Sequence, residues 1–248
     1  MATQIHRGSI SRLHKYETCP RQAYFAYVEK IPEPPRPALP AGKEYPNDRG
    51  TRVHNEIENY VRKNGEAPYP KEAKKFEREH IKLADLFAAK RATMEDPWYF
   101  NDSWVALKGP TAEKEYTFQV RLDVSVTVDD VGDHMAVIDH KTGRRYGNEV
   151  KHADQMRMYA LGTFLRYEPL KVTTELHYLD HDEISDMTYN YNIVPNLIAN
   201  YSRRFHTMFE DKVFRPKPNA WNCSYCVFKT GRLGKSEQMG TGHCRLNP

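Results

Sequence analysis

Residues 116–128 alternate strictly between apolar and polar side chains. The apolar members are Tyr116, Phe118, Val120, Leu122, Val124, Val126 and Val128, and every residue between them is polar. A period of two is that of a β-strand with one buried face, so we predict a single long strand over 116–128. The run Asp129–Asp133 has turn composition, and Met135–His140 is predicted to form a second strand that pairs with the first as a hairpin.

Helical spacing of apolar residues dominates the rest of the chain. The predicted helices are two short ones that meet near Cys19-Pro20, and longer ones between Gly50 and Gly65, over 72–90, over 152–167 and over 195–209. A third strand is predicted over 172–178, and the proline-rich stretch 32–40 is predicted to be an extended connector. A strand pair, a crossover helix and a further strand predict an α/β fold in which helices flank a mixed β-sheet.

Composition limits the classes of protein to which the chain can belong. Of its 248 residues 39% are hydrophobic and 28% charged, which excludes a disordered or collagen-like chain, and the net charge of +4 permits a nucleic-acid partner. The longest apolar run, Ala23–Val28, is far shorter than a membrane span, and no secretory signal is recognisable. We therefore expect a cytoplasmic protein without a membrane partner. We also expect a single domain over 1–248, with a helical segment and connector (1–40), a core (50–210) and a cysteine-containing tail (211–248).

Two aspartates of the predicted hairpin suggest a metal site. Asp123 and Asp139 are equidistant from Val131, the centre of the turn, so we expect them to face each other on one side of the sheet, which Lys141 shares. Opposed carboxylates repel each other, and a divalent cation with oxygen ligands removes that repulsion. The alternative is an exposed polar face on which the aspartates pair with Arg121 and Lys141.

The same residues resemble a known family pattern. Asp123 followed by Val137–Gly143 (VIDHKTG) resembles the motif of PD-(D/E)XK nucleases, here as D…D-H-K, and IDHKTG resembles the RecB-like branch in particular. Three further marks of that branch follow the expected order: a helical histidine motif at Gly50–Glu58 (GTRVHNEIE), a glutamine–tyrosine motif at Gln155–Tyr159 (QMRMY), and the cysteine frame of its iron–sulfur members. The chain departs from the family in its second acid, Asp139, where glutamate is commoner.

The resemblance implies a restriction-endonuclease-like core and a role for each motif residue. A Mg²⁺ or Mn²⁺ ion would be held by His54, Asp123, Asp139 and the carbonyl of His140. The residues in catalytic roles would be Asp123, Asp139, Lys141, Gln155 and Tyr159. Lys141 would orient or deprotonate the attacking water or stabilise negative charge, while Gln155 and Tyr159, one helical turn apart, would position the DNA strand and the lysine. Without the motifs, His54 and Tyr159 would be interpreted as ordinary helical and core residues.

The chain has four cysteines, at Cys19, Cys223, Cys226 and Cys244. Four thiolates suit a [4Fe–4S] cluster or a structural Zn²⁺ ion, and spacing alone does not separate the two or exclude unliganded redox thiols. The resemblance favours the iron–sulfur cluster, although the seventeen residues between Cys226 and Cys244 exceed the usual gap. Either metal would join the N- and C-terminal segments and act structurally.

Three functions are compatible with these features. The first is a metal-dependent deoxyribonuclease, in particular an exonuclease acting on single strands or duplex ends in DNA replication, recombination or repair. Phage recombination enzymes and CRISPR-adaptation nucleases fit this architecture; recombination or replication proteins would be partners, and a phage-encoded enzyme would work in the host cytoplasm. The second is a catalytically silent DNA-binding or scaffold protein, which the intact acid and lysine set disfavours. The third is a cluster-assembly or redox protein, for which one C-x-x-C motif is poor support.

Overall fold

The computed structural model describes residues 4–143, 145, 147–234 and 236–245. The chain forms two compact units, one from residues 43–199 and the other from its two ends, 1–42 and 200–248. The single domain expected over 1–248 stays a prediction, and its segments 1–40 and 211–248 extend beyond the described residues. Within the described part of the chain, no helix is both long and apolar enough to cross a bilayer.

The regular elements follow the predicted order, with additions between the predicted ones. The helices are α1 (Ile10–Thr18), α2 (Pro20–Tyr27), α3 (Pro46–Arg62), α4 (Glu77–Ala88), α5 (Ala112–Glu115), α6 (Glu149–Tyr167), α7 (Val194–Glu210) and α8 (Ala220–Ser224). The strands are β1 (Ala92–Met94), β2 (Pro97–Phe100), β3 (Ala106–Leu107), β4 (Phe118–Arg121), β5 (Val124–Thr127), β6 (His134–Lys141), β7 (Lys171–Tyr178) and β8 (Glu183–Asn190). Short 3-10 helices lie at Lys71–Phe76 and Tyr191–Ile193.

The larger unit contains a five-stranded sheet with the order β1-β5-β6-β7-β8. Strands β6 and β7 are parallel and are connected by α6, whereas the other neighbours are antiparallel, so the predicted mixed sheet with a crossover helix is confirmed. Helices α3 and α4 bury their apolar faces in one cluster with β1, β5 and β6. Val53 and Ile57 of α3 are almost fully buried there, and burial of each side chain stabilises the fold by about 1.5–3 kcal/mol.

The predicted long strand 116–128 is wrong as a single element. Its first half, β4, pairs with β2 in a separate three-stranded sheet, whereas its second half, β5, pairs with β1 and β6. The alternation persists across the break, because Val120, Leu122 and Val124 are all buried. Alternating burial reports which face a residue takes but not which strand it pairs with, so the pattern conceals the change of sheet.

The register predicted for the hairpin is confirmed. Val124 pairs with Ile138 and Val126 with Ala136, which centres the β5–β6 hairpin on residue 131. Asp123 and Asp139 are each the next residue outward from the Val124–Ile138 pair. Both aspartates therefore lie at the same end of the hairpin.

Several elements were not predicted from the sequence. The edge strand β8 is mostly exposed and lacks an apolar alternation, although it pairs with β7 along its whole length. The short strands β1, β2 and β3 contain only two to four residues, too few to show a period. The helix predicted over 72–90 begins instead with the 3-10 segment and becomes α-helical at Glu77.

Candidate active site

Asp123 lies in the bend between β4 and β5, where hydrogen bonds fix both its side chain and its backbone. Its Oδ2 accepts a 2.7 Å hydrogen bond from the backbone amide of His140 and lies 3.2 Å from Nδ1 of His54. Its carbonyl accepts a 2.9 Å hydrogen bond from the amide of Glu95. Burial raises the pKa of Asp123, but the hydrogen bonds from His140 and His54 and the charge of His54 outweigh burial and hold the pKa well below its usual range. The side chain is therefore a carboxylate at neutral pH.

His54 reaches Asp123 from helix α3. The helix buries Val53 and Ile57 against the sheet, and this packing leaves His54 half-buried beside the hairpin end. Burial lowers the pKa of His54, but the hydrogen bond and charge of Asp123 outweigh it and raise the pKa above its ordinary value. The two side chains thus stabilise each other's charged forms.

Glu95 is a candidate metal ligand that was not predicted from the sequence. It follows β1 directly, has a positive φ of 52°, and forms a 2.9 Å ion pair with Arg121. Burial and the charge of Asp123 raise the pKa of its carboxyl group. Ligand atoms of His54, Glu95 and Asp123 all lie within 4.8 Å of one another. The signal for Glu95 is spatial, since β1 is too short to be recognised in the sequence.

Asp139, Lys141, Gln155 and Tyr159 form a second, connected network. Lys141 Nζ lies 2.6 Å from Asp139 Oδ2 and donates a 3.0 Å hydrogen bond to Gln155 Oε1. Gln155 Nε2 in turn donates to Asp139 Oδ1 at 3.3 Å and to the Tyr159 hydroxyl at 2.5 Å. Helix α6 supplies the last two residues from successive turns, as their spacing predicted.

The charges in this network depend on burial and on its neighbours. Asp139 is 2% exposed, and burial together with the Asp123 charge raises its pKa to about 6 against the opposing effect of Lys141. Burial lowers the pKa of Lys141, but the ion pair with Asp139 outweighs it and raises the pKa above its ordinary value. The hairpin end therefore carries two acids with unequal proton affinities, Asp123 and Asp139, next to a protonated lysine, Lys141. Such an arrangement suits a divalent cation, which compensates both carboxylates.

The four cysteines lie in the smaller unit and line one pocket there. All four are free thiols of intermediate exposure. The backbone amide of Lys217 lies 3.5 Å from Cys19 Sγ, and Gln22 Nε2 lies 3.5 Å from Cys226 Sγ. Burial raises the pKa of Cys226, and the nearby Cys244 and Cys19 raise it further. The chain fold thus brings the N-terminal cysteine to the C-terminal three.

A family model described as the PD-(D/E)XK nuclease superfamily matches residues 7–230. The matched range contains every residue of the hairpin site and three of the four cysteines. Among curated proteins, none matches the chain.

Two solved structures are similar to parts of this chain at low sequence identity. A crystal structure of SSO0001 is 15% identical, with a TM-score of 0.44, and the match covers 92% of this chain and 86% of that one. A crystal structure of Candida albicans Rai1 in complex with pU5-Mn²⁺ is 11% identical, with a TM-score of 0.23, covering 81% of this chain and 55% of that one.

Proposed function

The chain belongs to the PD-(D/E)XK nuclease superfamily, and we propose that it is a Mg²⁺- or Mn²⁺-dependent deoxyribonuclease of the RecB-like branch. The finer assignment is an exonuclease that hydrolyses phosphodiester bonds in DNA replication, recombination or repair. The observation that carries the proposal is the convergence of Asp123, His54 and Glu95 beside the Asp139–Lys141 pair.

The chemistry of these donors fits a divalent metal. One imidazole and two carboxylates offer atoms within 4.8 Å of one another, and a further buried carboxylate, Asp139, lies at the same hairpin end. Oxygen donors suit Mg²⁺ and Mn²⁺, and an imidazole shifts the preference towards Mn²⁺. The residues proposed to hold the ion are His54, Asp123, Asp139 and the carbonyl of His140, with Glu95 as an additional donor. A bound ion of this kind lowers the pKa of a coordinated water and offsets negative charge on the phosphate.

The remaining residues supply position and charge. Lys141 carries the positive charge that offsets negative charge on the phosphoryl group during cleavage. Gln155 holds the ammonium group of Lys141 through Oε1 and one oxygen of Asp139 through Nε2, so it keeps the acid and the lysine in register. Tyr159 accepts the other Nε2 hydrogen bond and thereby fixes the amide orientation of Gln155.

The second candidate function is a catalytically silent DNA-binding or scaffold protein on the same fold. A silent relative would have no need of a carboxylate, Asp139, that is buried at 2% exposure beside another carboxylate. Keeping a buried acid next to a second, partly buried one costs free energy, which a bound cation would offset. The nuclease is therefore the better interpretation.

The proposal extends to the cysteine pocket of the smaller unit. We assign Cys19, Cys223, Cys226 and Cys244 to one [4Fe–4S] cluster, with a structural Zn²⁺ ion as the alternative. The basic side chains Arg21, Lys217 and Lys229 also line this pocket and would offset the charge of four thiolates. Thiolates bound to a single Zn²⁺ ion lie about 3.8 Å apart. Among the described residues, no three cysteine sulfurs lie within 4.8 Å of one another, so the sulfurs are more widely spaced than a single zinc ion requires.

Cleavage of end-labelled single-stranded and duplex DNA tests the main proposal. Wild-type protein should degrade DNA with Mn²⁺ and lose activity with excess chelator, while Asp139→Asn should be inactive with Mn²⁺. Asp186→Asn, an exposed aspartate of β8 in the same sheet, is the matched control and should cleave like the wild type. DNA binding without cleavage by the wild type under all metal conditions would favour the scaffold function instead.

A further inference from the structure

Three histidines of the larger unit meet in the protein interior, and one of them, His140, contacts the hairpin carboxylate Asp123. His80 lies on α4, His140 on β6 and His177 on β7, and each is at most 2% exposed. Each residue places one ring nitrogen within 4.8 Å of a ring nitrogen of the other two. His80 Nε2 and His140 Nε2 lie 3.0 Å apart. Burial of three imidazoles in contact is costly unless their nitrogens have partners.

The outer nitrogen of each ring has an oxygen partner. His80 Nδ1 lies 2.5 Å from the Tyr69 hydroxyl, which donates its own proton to the Ala73 carbonyl. His177 Nε2 lies 2.8 Å from Glu175 Oε2, and His140 Nδ1 lies 3.5 Å from Asp123 Oδ2. Because each of these oxygens accepts a hydrogen bond from the ring, the proton of each neutral imidazole is held on its outer nitrogen.

The inner nitrogens therefore present lone pairs to one another. With protons on the outer nitrogens, His80 Nε2 and His140 Nε2 face each other as two acceptors, and Nδ1 of His177 is buried without a hydrogen-bond partner among the described residues. Two opposed lone pairs at 3.0 Å repel each other, and an unpartnered buried nitrogen costs about 1–3 kcal/mol. A cation placed between the three nitrogens removes both costs at once.

We propose that His80, His140 and His177 form a second metal site, for one Zn²⁺ ion, distinct from the carboxylate site at Asp123. Nitrogens bound to a tetrahedral Zn²⁺ ion lie about 3.3 Å apart. The His80–His140 separation of 3.0 Å is close to that value, and the ring nitrogen of His177 lies within 4.8 Å of both. Three imidazoles without a carboxylate in the inner shell select a transition metal over Mg²⁺. Outer oxygen partners on all three rings are the usual surroundings of metal-binding histidines.

The site would act structurally, since its ligands are buried and come from three elements. The ion would tie helix α4 to the neighbouring parallel strands β6 and β7. It would also fix the ring of His140, whose other nitrogen faces Asp123, and so steady a carboxylate of the candidate active site. The neutral rings that metal binding needs are favoured here, because burial and the neighbouring histidines lower the pKa of His80 to about 2.

Zinc stoichiometry in the presence of excess Mg²⁺ tests the proposal, because Mg²⁺ occupies carboxylate sites and leaves imidazole sites open. The full-length protein is stripped of metal, dialysed against Zn²⁺ with excess Mg²⁺, and analysed for zinc. Wild type should retain one more Zn²⁺ per chain than His80→Gln or His177→Gln. His134→Gln, in the same strand as His140 but bonded to Thr173, should retain as much as the wild type. Because all four proteins keep the cysteines, the difference between the wild type and the two ligand variants reports only the histidine site.

Equal zinc in the wild type and both folded ligand variants would overturn the proposal and leave a proton shared between His80 and His140 as the explanation of their contact. If neither variant folds, X-ray absorption of the zinc-loaded wild type decides. More than one imidazole nitrogen per zinc at 2.0–2.1 Å from the metal supports the histidine site, because the carboxylate site offers only His54. A zinc shell with no more than one imidazole, whether completed by oxygen or by sulfur at about 2.3 Å, overturns it.

Discussion

The backbone amide of His140 donates a 2.7 Å hydrogen bond to Oδ2 of Asp123, seventeen residues earlier in the chain. Asp123 precedes the first residue of β5 and has no backbone pairing partner in the β5–β6 ladder. Its side-chain hydrogen bond to His140 therefore closes the open end of the hairpin. One carboxylate is thereby fixed to the strand that carries the other, Asp139. The distance between the two acids is set by the sheet and not by a flexible loop.

Replacing Asp139 or Lys141 should abolish cleavage while the protein stays folded. In Asp139→Asn the buried side chain keeps its shape, and in Lys141→Ala the positive charge beside the acid is lost. We expect each variant to lower kcat by at least about 100-fold, since each removes a charge that acts on the reacting phosphate. The measurement is single-turnover cleavage with Mn²⁺, with circular dichroism and DNA affinity as controls for folding and binding. Near wild-type turnover in either variant would show that the active site lies elsewhere.

Replacing His54 or Glu95 should change the metal requirement more than the chemical step. Both side chains contribute one donor to a group that also contains Asp123, so the carboxylates that remain still hold the ion weakly. For His54→Gln and Glu95→Gln we expect the Mn²⁺ concentration at half-maximal activity to rise about 10- to 100-fold, with most activity recovered at high metal. His206→Gln, an exposed histidine of α7, serves as the control. An unchanged metal titration would remove the substituted residue from the metal site.

The hairpin register could be predicted from the sequence, whereas the surroundings of the acids could not. A turn centred on Val131 fixes which residues pair, and this needs only local composition and the two-residue period. The position of Glu95 depends on β1, a three-residue strand whose pairing with β5 is decided by tertiary packing. The same limitation hid the change of sheet at Leu122, because the apolar–polar alternation of the sequence continues on both sides of the break.

The buried histidines illustrate a second limit of sequence reasoning. His80 lies on the apolar face of a helix, where the sequence predicts a core residue. His177 lies between the inward-facing Leu176 and Tyr178, at a position where the two-residue period predicts a polar, outward-facing side chain. His140 belongs to the motif, but only its backbone carbonyl had a predicted role. Their meeting depends on how α4 packs on β6 and β7, and no local pattern contains that information.

Metal binding at the hairpin should weaken as the pH falls through 6. The pKa of Asp139 is raised to about 6, so this carboxyl group is largely protonated at pH 5 and largely ionised at pH 7. A metal ion must displace that proton, and apparent Mn²⁺ affinity should therefore be about tenfold lower at pH 5 than at pH 7. Protonation of His54, whose pKa is also raised, adds to the loss in the same direction. Asp123 contributes nothing in this pH window, because its pKa lies well below it.

Calorimetric Mn²⁺ titrations at pH 5 and pH 7 measure the ratio of the two apparent affinities. Equal affinities would contradict the protonation assigned to Asp139.

Replacing Cys19 should remove the proposed cluster and loosen the smaller unit without touching the hairpin site. Cys19 ends α1 and precedes α2, so it joins the N-terminal helices to the pocket that Cys223, Cys226 and Cys244 line near the other end of the chain. Protein purified without oxygen should be brown and contain about four irons per chain, and Cys19→Ser should be colourless with a lower melting temperature. Its nuclease activity, measured well below that temperature, should stay close to that of the wild type, because every candidate catalytic residue lies in the unit formed by 43–199.

Elemental analysis of the wild type separates the alternatives for the four cysteines. One zinc and no iron per chain would replace the cluster by a zinc site, and the absence of both metals would leave the four cysteines as free thiols. An immediate loss of cleavage in folded Cys19→Ser at low temperature would instead mean that the cluster acts on the active site itself.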